Sequence, residues 1–588
     1  MAAAASEVVF SFKPPKTHRP TIMGQSQMVA SGHYLASMAG SRMLDAGGNA
    51  IDAGVAAGIC INVLQPDMTN FGGVAPIIMY LAERNEVLTI SGLGRWPKKA
   101  SATLFREQHG GRIPPGLIRS VTPAAADAWL TALERFGTKT FAEVVAPALE
   151  LAERGFPVHQ FLFDNVSTSA PDLRQYPLND ATFFPGGRQL GVGEVVRQPD
   201  LARTFRRLIE VEASASGGRE AGLRAARDFF YRGEVAREIA QFSQENGGLL
   251  DYDDLAEFSV KVEPPVTTNY RGFDLYACGP WCQGPVLPEA LNILEGYDLK
   301  TLGHNTPEYL HLVISALDAA FSDRHAYYGD PDFVNVPMDG LLNKEYAATW
   351  RARIDRGPTW AEMPEPGDAW AFERQPVGAG PKGGPARPLR LPPEPDTSYA
   401  CAVDKWGNGF SATPSDGCRA TPLLPGLCFI ISGRGYQSWV DEDHPARIEP
   451  GKRPRLTPSP ALMLKDGRLE LVIGSPGHDV QPQAMLQVLL GMLEFGMDPQ
   501  AAIEQPRVAS YNYPSTGDPH PYHPGVVRAE GRLPAEVLDG LRALGHTVES
   551  WPDWIGTAGA PCTIRVDAEN GTLSAGADPR RMSYAIGW

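Results

Sequence analysis

The chain has 588 residues, 43% of them hydrophobic and 21% charged, and a formal net charge of −15. This is the composition of a globular protein, long enough for two or more domains or one large sandwich. An acidic balance of this size argues against nucleic acid or an anionic membrane surface as a partner.

Residues 1 to about 27 read as an irregular arm. From Ser31 to Leu44 the spacing of Leu35, Met38, Ala39, Arg42 and Met43 predicts a helix capped by Ser31 and ended by Gly47-Gly48. Ala50 to Leu64 is almost uniformly apolar and rich in small residues, which predicts a buried helix. A turn at Phe71-Gly72-Gly73 leads to a strand, Pro76 to Leu81, and a hairpin around Arg84-Asn85-Glu86. Helices are expected at 122–135, 141–154, 199–211, 218–228 and 234–246, and strands at 258–263 and 272–277. Pro307 to His325 is a long helix with Thr306 as its N-cap and Pro307 in the first helical position. Residues 355–396 then break the pattern. They are dense in Pro and Gly, lack a period, and are too long for an ordinary connection. Beyond them strands are expected at 397–403, 409–413, 427–432, 460–464, 469–473, 562–567 and 572–576, with a helix at 482–495. Helices and hairpins in blocks predict α+β layering.

Seven cysteines (60, 278, 282, 401, 418, 428 and 562) are few and odd in number, which fits a reducing compartment better than a disulfide framework. Cys278 and Cys282 are spaced C-x3-C, with neither redox-motif spacing nor a second ligand pair. The first twenty residues carry no basic stretch followed by a sustained apolar one, and no stretch approaches the roughly 18 apolar residues of a membrane span. The expectation is a soluble cytoplasmic protein with no metal, no nucleic acid and no membrane partner.

Familiar catalytic motifs are absent from the sequence: there is no G-x-S-x-G elbow, H-E-x-x-H, phosphate-binding P-loop or dinucleotide fingerprint. His520 and His523 sit in a Pro-rich loop without a nearby carboxylate or thiol pair. What stands out is Thr397, where the loose stretch GAGPKGGPARPLRLPPEPD ends and strand-like sequence begins. Cleavage between Asp396 and Thr397 gives one residue both a hydroxyl and a free amine, a nucleophile with its own general base. Gly477 and His478 close a turn after the apolar run 469–473, and such a turn can aim N–H groups at a developing oxyanion.

At this point the residues resemble the γ-glutamyltranspeptidase family. Thr397-Ser398-Tyr399 with Val403 to Asn408 is similar to the family's autoprocessing site. Gly48-Asn49-Ala50-Ile51-Asp52-Ala53, Asp323-Arg324, Gly451-Lys452-Arg453-Pro454, Gly474-Ser475-Pro476-Gly477 and Ala577-Asp578-Pro579-Arg580-Arg581 match in the family's order. The resemblance implies an N-terminal nucleophile hydrolase with a four-layer αββα sandwich. It implies self-cleavage into a large subunit, 1–396, with 355–396 lost or mobile afterwards, and a small subunit, 397–588, the two forming one composite domain that can pair into a dimer of heterodimers. It implies no cofactor. Thr397 would be the nucleophile, Ser415 its supporting hydroxyl, and Gly477 and His478 the oxyanion turn.

The departures fall on substrate recognition. Arg95 lies near, but displaced from, the family's carboxylate-binding arginine. Ser398-Tyr399-Ala400 stands where transpeptidases carry Thr-His-Tyr, and Leu456-Thr457 replaces a serine pair. The segment Ser432-Gly433-Arg434-Gly435-Tyr436 offers a cation in place of an acidic pair, so Arg434 suits an anionic oxygen or a structural ion pair. The candidate substrate-binding residues are therefore Arg95, Arg434, Tyr436 and Thr457. The expected activity is hydrolysis of a small carboxylate-bearing amide, oxamate-like or γ-glutamyl-like, with glutathione-type γ-glutamyl transfer and an uncut ligand-binding homologue as the alternatives.

Overall fold

A computed structural model describes residues 17–357, 359–374, 380–391 and 396–588. The parts of the expected arm and of the 355–396 stretch that fall at 1–16, 358, 375–379 and 392–395 lie outside the described residues.

Two seven-stranded antiparallel sheets stack face to face. The first runs Tyr584–Gly587, Met28–Ser31, Ala400–Val403, Gly409–Ala412, Ile77–Leu81, Glu86–Ile90 and Val262–Glu263. The second runs Ile22–Gly24, Thr572–Ala577, Cys562–Asp567, Arg468–Gly474, Ala461–Lys465, Phe273–Ala277 and Val266–Tyr270. Strand side chains alternate between faces, and the packing follows that alternation. Cys401 and Val403 point between the sheets with Met28, Ala30, Leu462, Val472 and Ile564. Ala400 and Ala402 point the other way, into a helical layer with Val55, Ile59 and Phe410. Helices Val286–Leu294, Pro307–Tyr327 and Gln481–Leu493 cover the outer face of the second sheet. The result is the four-layer helix–sheet–sheet–helix sandwich.

Ala50–Leu64 is a helix buried along all fifteen residues. Asn49 caps it by accepting from the Ile51 and Asp52 amides, and Asp52 accepts the Asn49 N–H in return. Gly54 lets this helix lie on the sheet: a Cβ there would sit 2.0 Å from Phe410. Thr306 caps Pro307–Tyr327 as the sequence predicts.

Two expectations are corrected and one sheet is new. The first helix is Tyr34–Asp45 with His33 as its N-cap, because Ser31 pairs with Ala400 and ends a strand. Residues 427–432 form no strand; the Ile430 amide donates to the Asn70 side chain, and Ile430 keeps only a single bridge to Leu423. A small sheet of Val508–Ser510, Val526–Glu530 and Thr547–Trp551 was not foreseen. The described part of 355–391 is laid against the body: Leu389 bridges Tyr522, and His325 contacts the Gly384 carbonyl.

Both sheets draw strands from each side of the 396/397 bond. Ala400–Val403 lies between Met28–Ser31 and Gly409–Ala412, in register Cys401 to Ala30 and Ser411. This places the beginning of the second segment in the interior of the first sheet.

Candidate active site

Thr397 is buried and lies three residues before its strand begins. Its φ of +76° is rare for any residue other than glycine and strained for a β-branched one. Its N–H donates to the Met68 carbonyl at 3.2 Å, and its carbonyl accepts from Arg581 at 3.1 Å. The backbone is thus held on both sides.

The Thr397 hydroxyl sits in a closed ring of hydrogen bonds. Its Oγ1 is 2.6 Å from Asp396 Oδ1 and 2.6 Å from Ser415 Oγ. A hydroxyl has one hydrogen, so Thr397 donates to the carboxylate and accepts from Ser415. Ser415 in turn accepts from Arg434 Nη2, which also meets Asp396 Oδ2 at 2.6 Å. The two hydrogens of that nitrogen are then both used. Ser415 is fixed by a backbone pair with Val74, at 3.0 and 3.3 Å.

Arg434 is fully buried. Asp416 Oδ1 is 3.8 Å from its Nε, which is otherwise unpartnered among the described residues. Burial works against the charge on Arg434, but Asp396, Tyr436 and Asp416 outweigh it and push its pKa up. Burial likewise works to raise Asp396, yet Arg434 and His478 hold it below the usual carboxylate range. Tyr436 Oη lies within 3.5 Å of Asp396 Oδ2 and 3.4 Å of Arg434 Nη1.

Gly477 and His478 follow the strand Arg468–Gly474 and precede helix Gln481–Leu493. Gly477 has φ +125° and His478 has φ +53°, so the turn presents its amides in a conformation that glycine adopts without strain. Among the described residues neither amide donates to a protein acceptor. The turn is backed by Gly559, 3.3 Å from a Cβ built on Gly477, and by the Ala560 amide, which donates to Ser475 Oγ. His478 Nδ1 faces Asp479 at 3.2 Å. Burial disfavours its charge, but Asp479 and Asp396 together hold its pKa above the ordinary value. With Leu391 and Tyr513, Gly477 and His478 line a cavity of about 40 Å³.

Gln437 ties the predicted residues together. Its Nε2 donates to Thr457 Oγ1 at 3.0 Å and lies 3.4 Å from both Tyr436 Oη and His478 Nε2; its Oε1 accepts from the Thr457 amide. The structure therefore brings Thr397, Asp396, Ser415, Arg434, Tyr436, Thr457 and His478 into one cluster, with Gly477 on its rim. It does not bring Arg95 there. The Arg95 charge acts on Asp332, where burial works to raise the carboxyl but Lys261, Arg453 and Arg95 hold it low.

Sequence reasoning missed four members of the cluster. Asp416 and Gln437 flank named residues, but nothing in their spacing marks them. Arg119 stacks its guanidinium 4.8 Å from the Tyr436 ring centroid, with a buried Nε unpartnered among the described residues. Gln283 donates to the Thr457 and His478 carbonyls and is held by Arg324, which pairs with Asp479. Among the described residues no group of His, Cys, Asp and Glu could hold a metal.

Residues 36–588 match the family model described as gamma-glutamyltranspeptidase. The chain is 32% identical over 573 residues to a glutathione hydrolase-like YwrD proenzyme of Bacillus subtilis (strain 168), covering 96% of this chain and 99% of that one. It is 33% identical over 548 residues to an acylase ACY 1 proenzyme of Pseudomonas sp. (strain SE83), covering 90% and 88%. The crystal structure of a cephalosporin acylase from Bacillus halodurans superposes with a TM-score of 0.84 at 27% identity, covering 99% of both chains.

Proposed function

This chain belongs to the gamma-glutamyltranspeptidase family and is a hydrolase or transferase of that family, and from this we propose that it is a self-cleaving amidohydrolase with Thr397 as its nucleophile. The observation that carries the reading is the hydrogen-bonded ring around a strained Thr397 at the end of the Pro/Gly-rich stretch.

In the uncut chain the Thr397 hydroxyl gives its proton to the Asp396 carboxylate and attacks the Asp396 carbonyl carbon. The C–N bond breaks as the Thr397 nitrogen takes a proton, leaving an ester on Oγ1. That step frees the Thr397 amine, and water then hydrolyses the ester to restore the Thr397 hydroxyl and release an Asp396 α-carboxylate. An α-amine titrates near ~8 and serves as a base at neutral pH, which a peptide nitrogen cannot do. The Met68 carbonyl, already bonded to that nitrogen, orients it.

In turnover the amine takes the hydroxyl proton while Oγ1 bonds to the substrate carbonyl. Charge on the carbonyl oxygen is met by the Gly477 and His478 amides, each such donor worth about 3 kcal/mol. The amide C–N bond breaks, the leaving amine takes the proton, and water then releases the acid and restores the hydroxyl. Ser415, held by Arg434, keeps Oγ1 aligned. The presence of Arg434 favours an acyl group bearing a carboxylate over one bearing an ammonium.

Denaturing electrophoresis with N-terminal sequencing tests this. The expected result is two fragments, the smaller beginning at Thr397, that a Thr397→Ala change fuses into one inactive chain. A single intact chain that still turns over amides would sink it. A γ-glutamyl anilide turned over faster with a dipeptide acceptor than with water would assign transfer in place of hydrolysis.

A further inference from the structure

The uncut chain already contains an acyl group seated at Thr397: its own Asp396. The Asp396 carbonyl carbon is the atom that Oγ1 attacks, and the Asp396 carboxylate is three bonds further along the same residue. That carboxylate lies 2.6 Å from the fully buried Arg434 Nη2 and within reach of Tyr436 Oη. Arg434 faces two carboxylates, Asp396 and Asp416; Asp416 also accepts a hydrogen bond from Ser432 and feels the Arg119 charge. Cleavage frees the Asp396 end. If Asp396 withdraws, the buried guanidinium keeps, among the described residues, Asp416 at 3.8 Å and the Ser415 and Tyr436 hydroxyls, with no carboxylate in close contact. A buried charge without a close partner is strongly unfavourable, so the site calls for a replacement anion in the same place.

Resting on the proposed Thr397 chemistry, we infer that Arg434 and Tyr436 form a carboxylate subsite set at succinyl spacing, and that the substrates are half-amides of short dicarboxylic acids. The same oxygen bonds to the acyl carbon in self-cleavage and in turnover. The reach from that carbon to Arg434 is therefore fixed by the residue that fills it first. A succinyl group, with two carbons between carbonyl and carboxylate, matches Asp396 bond for bond. Glutaryl and γ-glutamyl groups are one carbon longer, and the oxalyl group of an oxamate is two shorter. An ammonium placed beside this subsite meets Arg434 and Arg119, and the carboxylate that could offset them, Asp416, is already engaged by Ser432 and Arg434.

The test uses the cut wild-type enzyme with succinyl, glutaryl, γ-glutamyl and butyryl p-nitroanilides. The expected kcat/KM for the succinyl compound is at least tenfold above the glutaryl and γ-glutamyl ones and at least a hundredfold above the neutral butyryl one. Succinate inhibits competitively at concentrations where butyrate does not. In Arg434→Gln, with cleavage verified by mass, the succinyl-to-butyryl ratio falls to near one. Should Arg434→Gln remain uncut, Arg434→Lys and the succinate inhibition of wild type decide the matter. A preference for glutaryl or γ-glutamyl, equal turnover of butyryl, no turnover of any of the four, or no inhibition by succinate overturns the inference. A cut enzyme with Thr397 at the new terminus and turnover of any anilide leaves the proposed function standing; an uncut, inactive chain removes both.

Discussion

Two buried arginine networks in this molecule use the same parts and differ in permanence. In one, Arg580 pairs with Glu530 at 2.6 Å and with Asp578 at 3.2 Å, while Arg507 pairs with Asp578 at 2.6 Å. Further guanidinium hydrogens go to the Ile503, Gln505, Ala558 and Gly559 carbonyls. Every partner lies within 503–580, so cleavage before Thr397 takes nothing from it. In the other, Arg434 depends on Asp396, the last residue before the proposed cut. One network is scaffolding: through Gly559 it backs the Gly477 turn. The other is complete only in the uncut chain, if the proposed cleavage frees Asp396. Buried ion pairs make poor stability arguments, since desolvation rivals the attraction; losing a partner is where their energy shows.

The largest effect should come from Thr397→Ala. It leaves the arginine–carboxylate pairs of both networks in place, prevents cleavage and lowers amide turnover by about 10⁴-fold or more, the scale of losing a covalent nucleophile; a gel and a progress curve check it. Next come the two arginines. Arg580→Met takes one guanidinium each from buried Glu530 and Asp578, leaving them Arg532 and Arg507, and should cost about 3 kcal/mol, equally in the cut protein and in the uncut Thr397→Ala background. Arg434→Met should cost a similar amount in the uncut background and much less after cleavage. Denaturant unfolding of the four proteins measures this, and equal losses for Arg434→Met in both forms would break the comparison.

Acid gives the third effect. Burial works to raise the Glu530 carboxyl, but Arg580, Arg507 and Arg532 hold its pKa at about 2. A depressed carboxyl contributes stability above its unfolded value of about 4.3 that is lost as pH falls toward 2, an amount on the order of 3 kcal/mol. Both forms share that loss. Asp396 is also held below its ordinary value, so the uncut protein should lose more below pH 4 than the cut one, as unfolding at stepped pH values would reveal. The smallest change is Gly477→Ala, whose side chain is strained at φ +125°. It should lower kcat about tenfold with little change in KM, because it twists an amide that acts on the transition state.

Much of the fold was legible because local chemistry and packing agree. The uniform apolarity of Ala50–Leu64, the Thr306-Pro307 cap and the alternation of 562–567 each have one satisfactory structure. Thr397 was legible as a boundary between a stretch with no period and a buried strand. What could not be read were contacts made across the fold. Asp396 looked like the end of a linker, yet it accepts from Thr397 and Arg434. Arg119, more than 300 positions before Tyr436, stacks on its ring. Arg95 was drawn in by sequence proximity to a family position, but its charge acts on Asp332 instead. The 427–432 segment has strand composition, but Asn70 takes the Ile430 amide that a ladder would need.

The position of Ala400–Val403, paired on one edge with Met28–Ser31 and on the other with Gly409–Ala412, carries a further consequence. Cutting the bond before Thr397 separates two polypeptides that have already been woven together. They would fold before they are two, and dilution would part them only by breaking the strand pairs they share. Their ratio is locked at one to one, and taking either away means unravelling the sheet they share.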